Sequence, residues 1–247
     1  MSPGAEAGRA QPGQLRLGLP PRIAACLFDL DGVLTRTSVL HAAAWKQAFD
    51  PVLAAHGQAA FDAVADYTQY VDGKPREDGV RSLLAARGIA AADDAVRAIA
   101  AGKDQRFERL LHERPVETYP GSVRYLRAAR DAGLAAAVVS SSKHTEQVLR
   151  AAGLAEQFDA RIDGVIAEQR RLAGKPAPDT YLAAARALGV EPARAAVFED
   201  ALAGVEAGRA GRFGYVVGVD RAGQAAELRR HGADVVVADL AALLEGG

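Results

Sequence analysis

The spacing of apolar and polar residues changes twice along this chain. The stretch Ile23-Ala24-Ala25-Cys26-Leu27-Phe28 carries no polar residue, the pattern of a strand buried on both faces of a parallel sheet. From Arg36 to about Pro115 every periodic segment is helical. Leu40, Ala44, Trp45, Ala48, Phe49, Val52 and Leu53 keep near 3.6-residue spacing, and Ser38 is positioned to cap that helix. Residues 61–67, 77–87 and 92–112 are further helical candidates, with a Gly- and Pro-marked loop at 70–76. After Tyr119-Pro120-Gly121 the two periods alternate. Helices are predicted at 122–132, 144–152, 178–188, 202–210 and 222–231, and strands at 134–139, 195–198, 215–219 and 234–237.

That alternation argues for an α/β fold, a doubly wound parallel sheet. The helical block reads as a second unit, residues 36–115, inserted after the first strand into a core of 22–35 and 116–247. It would hang over the crevice at the strand ends, where open α/β sheets bind ligands. Residues 1–21 are rich in Gly, Pro and Ala and lack an apolar signal-peptide segment, so they read as a flexible tail.

Composition narrows the functional class. Lys and Arg number 30 against 31 Asp and Glu, and no basic stripe stands out, which argues against a nucleic-acid partner. No apolar run reaches membrane-spanning length, and no obligate protein partner is evident. Cys26 is the only cysteine, so it forms no internal disulfide; its place in a strand suits a buried, inert thiol. A cytoplasmic protein is expected.

Candidate chemistry sits at four successive strand ends of the expected sheet. The first leads into Asp29-Leu30-Asp31-Gly32. Two acids at a strand end repel unless a cation such as Mg2+ neutralises them, although an Asp-Gly turn alone also ends many strands. Val139 runs into Ser140-Ser141-Ser142-Lys143, readable as a helix cap or a cradle for phosphate oxygens. Gly174-Lys175-Pro176-Ala177-Pro178 presents Lys175 on a stiff loop, either as a phosphate-binding ammonium or as a solvated lysine. Phe198 leads into Glu199-Asp200, a second carboxylate pair suited to Mg2+ or to a helix N-terminus.

The order Asp29-x-Asp31, Ser140, Lys175, Glu199-Asp200, with a helical insertion after the first motif, resembles the haloacid dehalogenase superfamily, helical-cap subclass. Within it the nearest likeness is to the β-phosphoglucomutase group. That likeness is carried by Asp29-Leu-Asp-Gly-Val-Leu-Thr35, His41 with Trp45, Gly73 with Arg76-Glu77-Asp78, Lys103, Tyr119-Pro120-Gly121 and Gly174-Lys-Pro-Ala-Pro-Asp179. The resemblance implies a Mg2+-dependent phosphosugar mutase acting between β-glucose 1-phosphate and glucose 6-phosphate, or else a phosphatase of small phosphate esters. A dehalogenase has no need of the acids at 199–200, and a binding protein without catalysis has no need of the full set.

It further implies Asp29 as nucleophile, Asp31 as acid and base, and Ser140 and Lys175 on the transferring oxygens. Mg2+ would lie among Asp29, the Asp31 carbonyl, Glu199 and Asp200. Arg76, Ser142 and Lys143 would bind the other phosphate, with His41, Trp45, Gly73 and Lys103 completing the sugar site. His144 stands where the group favours asparagine, Asp72 where one mutase has lysine, and residues 161–166 differ from the characterised mutases.

Overall fold

The structure is a computed structural model and describes residues 17–245. Six strands form one sheet: β1 (Ala25–Phe28), β2 (Ala135–Val139), β3 (Ala160–Ile162), β4 (Ala195–Glu199), β5 (Tyr215–Val219) and β6 (Val235–Val237). Their order is β3-β2-β1-β4-β5-β6, and every pairing is parallel. The helices are α1 (Ser38–Ala55), α2 (Arg76–Ala86), α3 (Asp93–Glu113), α4 (Pro120–Asp131), α5 (Thr145–Ala151), α6 (Gly164–Arg170), α7 (Asp179–Ala187), α8 (Leu202–Ala210), α9 (Ala225–His231) and α10 (Ala242–Glu245). This is a doubly wound α/β sheet with helices inserted between β1 and β2.

The two-residue period of the strands explains why both faces are covered. Cys26, Phe28, Val138 and Phe198 pack with Tyr125 and Leu126 of α4, and the Phe28 and Phe198 rings stack at 4.5 Å. Ala25, Leu27, Val139 and Val197 pack on the opposite face with Tyr181 and Ala184 of α7. Cys26 is fully buried, and that burial pushes its thiol up, which keeps it unreactive.

The inserted helices have an apolar centre of their own, built from Trp45, Phe49, Leu53, Phe61, Val71, Val80, Leu83 and Val96. Leu40 and Ala44 of α1 and Phe107, Leu110 and Leu111 of α3 instead join the sheet's cluster. Those two helices therefore form the seam between insertion and sheet.

The structure departs from the sequence expectation in five places. The helix expected at 61–67 starts late: the Asp62 carboxylate accepts from the backbone of Val64 and Ala65, only 65–66 are α-helical, and a π-helical turn follows at Tyr67–Val71. Ser38 is the first residue of α1 rather than its cap; the cap position is Thr37, whose hydroxyl is used elsewhere. β3 and α6 have no counterpart in the prediction. Arg161 interrupts the three-residue strand, and α6 depends on Asp163 accepting from the backbone of Val165 and Ile166. The helix expected at 222–231 starts at Ala225, because Asp220 first accepts from the backbone of Ala222 and Gln224. The tail expected to reach residue 21 is shorter. Residues 1–16 lie outside the described residues, but Leu17 and Leu19 pack on the core and Tyr125 donates to the Leu17 carbonyl at 2.7 Å. Among the described residues no helix is long and apolar enough to cross a membrane.

Candidate active site

Parallel register brings three of the four sequence motifs to one edge, while the fourth, Lys175, expected at a strand end, lies in the loop between α6 and α7. Phe28 stands opposite both Val138 and Phe198, so Asp29, Ser140 and Glu199-Asp200 leave the sheet side by side. The Asp29 amide donates to the Phe198 carbonyl at 2.9 Å, and the Ser140 amide to the Ile162 carbonyl at 3.0 Å. These bonds fix where each side chain departs.

Lys175 is the hub of this edge. Its ammonium lies 2.5 Å from Asp29 Oδ1 and 2.5 Å from Glu199 Oε1, and it donates to the Val139 carbonyl at 3.3 Å. Burial works against its charge, but Asp29 and Glu199 overcome this and raise it above the ordinary lysine value. Glu199 is wholly buried: Oε1 also accepts from the Tyr181 hydroxyl at 2.9 Å, and Oε2 from the Ala201 amide at 3.0 Å. A Cβ on Gly204 would lie 1.7 Å from Glu199 Oε1, so only glycine admits the carboxylate there.

The remaining carboxylates have fewer partners. Burial pushes Asp29 well above the usual carboxylate range against the pull of Lys175, with Glu199 and Asp31 adding to it. Asp200 is raised by burial and then by Asp72, Asp29 and Glu199, and its buried Oδ1 has no hydrogen-bond partner. Oxygens of Asp29, Glu199 and Asp200 lie within 4.8 Å of one another. An orphaned carboxylate oxygen among buried acids fits a hard divalent cation. Gly32, at φ 99°, lets the Asp31 loop pack here, since a Cβ would meet Asp200 Oδ2 at 1.8 Å.

Asp31 faces the inserted helices instead. Thr37 donates to its Oδ1 at 2.5 Å, and Ser140 to its Oδ2 at 3.2 Å. His41 Nε2 lies 3.3 Å from Oδ1. Burial alone would raise this carboxyl, but His41, Thr37 and Lys103 hold it at about 2. Lys103 Nζ meets His41 Nδ1 at 2.5 Å. An ammonium only donates, so Nδ1 accepts and the ring proton sits on Nε2, toward Asp31. Burial and then the Lys103 charge bring His41 to about 4, and burial with Arg76 brings Lys103 to about 7. Lys103 also lies over the Trp45 and Phe107 rings, at 5.3 and 4.7 Å.

A cavity runs from these acids to the insertion and is lined by Asp29, Asp31, His41, Trp45, Asp72, Gly73, Arg76, Lys103, Ser140, Ser142 and Asp200. At its far side Arg76 and His144 both hold Asp104, each at 2.8 Å. Lys143, expected here as a phosphate ligand, is not among the lining residues. Its ammonium pairs with Glu168 at 2.7 Å, because α6 passes close to the Ser141–Lys143 backbone beside Gly164. Asp72 is buried in the cavity wall; burial raises its carboxyl to about 7 against a hydrogen bond from Tyr67, with Glu199 adding to the rise.

A sequence model of the haloacid dehalogenase-like hydrolases matches residues 23–212. The chain belongs to that family. It is 52% identical to the β-phosphoglucomutase of Mycobacterium bovis, over 92% of this chain and 94% of that protein. Among solved structures it resembles a hydrolase from Pseudomonas syringae (TM-score 0.76, 27% identity, covering 90% and 96% of the two chains). It also resembles the β-phosphoglucomutase of Clostridium difficile (TM-score 0.74, 25% identity, covering 90% and 93%). These relations make the chain a β-phosphoglucomutase-like phosphotransferase.

Several residues of this family member's site carry no signal in the sequence, among them Thr37, Tyr181, Asp104 and Arg221. Arg221 Nε donates to the Gly32 carbonyl at 2.8 Å and Nη1 to the Ala238 carbonyl at 2.7 Å, while its guanidinium lies 3.6 Å from the centre of the Tyr119 ring. Three residues on, the Gln224 side-chain Nε2 donates to the Asp200 backbone carbonyl at 3.0 Å. One loop thus braces both acid-bearing loops from behind. Arg221→Ala is expected to lower kcat by about 10–100-fold, the scale of a misplacement near 1 Å, and to leave KM nearly unchanged. Steady-state kinetics checks this, because a mere loss of folded protein would not separate the two constants in that way.

Proposed function

We propose that the protein is a Mg2+-dependent phosphosugar mutase that interconverts β-glucose 1-phosphate and glucose 6-phosphate through a phosphorylated Asp29 and a glucose bisphosphate. The observation that carries this is the two-ended cavity. One end has a nucleophilic carboxylate held by a buried lysine; the other has Arg76, Lys103 and His144 against the inserted helices. A substrate anionic at both ends needs both.

Asp29 attacks phosphorus and releases the sugar oxygen. Lys175 and Ser140 hold the transferring oxygens, since phosphoryl transfer depends mainly on positioning and charge stabilisation. Asp31 moves the proton: ionised in the free site, it takes a proton from the sugar hydroxyl that receives the phosphoryl group and returns it to the oxygen that leaves in the other half of the reaction. His41 and Thr37 orient it, and Lys103 ties that orientation to the inserted helices. Arg76 takes the non-transferring phosphate, with Ser142 beside it, while Trp45 and Gly73 complete the sugar wall. Asp29, Asp200 and the Asp31 carbonyl would hold Mg2+, with Glu199 behind them; when bound, the ion neutralises charge on the transferring phosphoryl group.

The test is a Mg2+-supplemented assay of β-glucose 1-phosphate, primed with glucose 1,6-bisphosphate, that follows glucose 6-phosphate and free phosphate together. Glucose 6-phosphate well ahead of phosphate is the expected result. Steady phosphate release with little isomer would make the enzyme a small-molecule phosphatase instead.

A further inference from the structure

We infer that Asp72, on the inserted helical unit, faces the cation held by Asp29 and Asp200, so that cation binding draws that unit onto the sheet. The inference rests on the Mg2+ site proposed above and extends it to a residue from the other side of the cleft.

Three observations carry it. The acids at the sheet edge outnumber the cations: Lys175 is fully engaged by Asp29 and Glu199, while Asp200 Oδ1 is buried with no partner. Asp72 adds a further buried carboxylate to the wall of the cavity that Asp200 also lines. Asp72 also stands at a close junction between the two units. The next residue's carbonyl accepts from Ser141 Oγ at 2.7 Å, and a Cβ on Gly73 would lie 2.9 Å from that of Ala201. The Asp72 backbone itself is tied to the π-helical turn through its amide, which donates to the Tyr67 carbonyl at 3.0 Å.

Placed there, Asp72 cannot retreat from Asp200 unless the loop, and the helices behind it, move away. Without a cation the two buried carboxylates repel or take up protons, and in neither form do they draw the units together. A divalent cation reverses the sign, since each carboxylate is attracted to it more than to water alone. Asp72 lies outside the group of Asp29, Glu199 and Asp200 oxygens that converge within 4.8 Å. It would therefore act on the ion from outside the ligand set, as outer partners tune metal affinity.

Mg2+ binding to the full chain, with no sugar present, tests this by calorimetry and by small-angle X-ray scattering; Trp45, the only tryptophan, reports on the same cavity by fluorescence. In the wild type, Mg2+ is expected to bind and to reduce the radius of gyration. Asp72→Asn keeps the side chain's size and is expected to bind Mg2+ about 10–100-fold more weakly and to lose the compaction. Asp200→Asn, which removes the ion's own ligand, sets the baseline. Equal affinity and equal compaction in Asp72→Asn would overturn the inference while leaving the cation site intact; a raised KM for the sugar phosphate in that case would make Asp72 a hydroxyl acceptor. Failure of the wild type to bind Mg2+ would remove the cation site itself, and the inference with it.

Discussion

Asp29→Asn is expected to lower phosphoryl transfer by at least about 10⁴-fold, the scale seen when a covalent nucleophile is removed, with little change in stability. Both halves follow from the local geometry. The amide keeps the carboxylate's shape but cannot attack phosphorus, so the covalent step is lost. Lys175 still has Glu199 at 2.5 Å, and one of several mutually repelling buried acids is gone. Activity assayed beside a thermal melt checks the pair. A variant that lost activity only because it unfolded would contradict it.

Lys175→Met is expected to fail differently. Glu199 is wholly buried and Asp29 nearly so, and Lys175 is the ammonium between them. Removing one partner of a buried ion pair costs about 3–5 kcal/mol, because the other charge is left uncompensated. In a chain of this size that corresponds to a fall in Tm of roughly 10 °C. Transfer should also fall sharply, since no cation would remain on that side of the transferring oxygens. The two variants thus separate chemistry from folding: the first inactivates a stable protein, the second destabilises and inactivates together. Thermal denaturation of both, in one buffer, distinguishes them.

The strand ends were legible in the sequence because three of the four chemical motifs follow an apolar run, and parallel register then aligns the ends. Asp29, Ser140 and Glu199-Asp200 come together for that reason alone. Lys175 reaches them from a loop of its own. The second layer was not legible. Tyr181 reaches Glu199 from one turn inside α7, and Arg221 reaches Gly32 across 189 residues of chain; no local pattern marks either contact. Lys143 shows the converse. The family resemblance implied a phosphate ligand there, but a motif position does not set where a long side chain ends, and its ammonium pairs with Glu168 on α6. That helix itself escaped notice because its partner strand β3 holds only three residues, with an arginine in the middle. The π-helical turn was hidden for a related reason, since the polar cap at Asp62 outweighs the apolar spacing of residues 61–67.

The central claim is that Asp29 carries the phosphoryl group. The most direct test is to expose the protein to glucose 1,6-bisphosphate with Mg2+, quench in acid, reduce with borohydride and map the peptides by mass spectrometry. Reduction of an aspartyl phosphate gives homoserine, and the account predicts it at position 29. Homoserine at position 31, phosphate retained on Ser140, or no covalent species at all would contradict it.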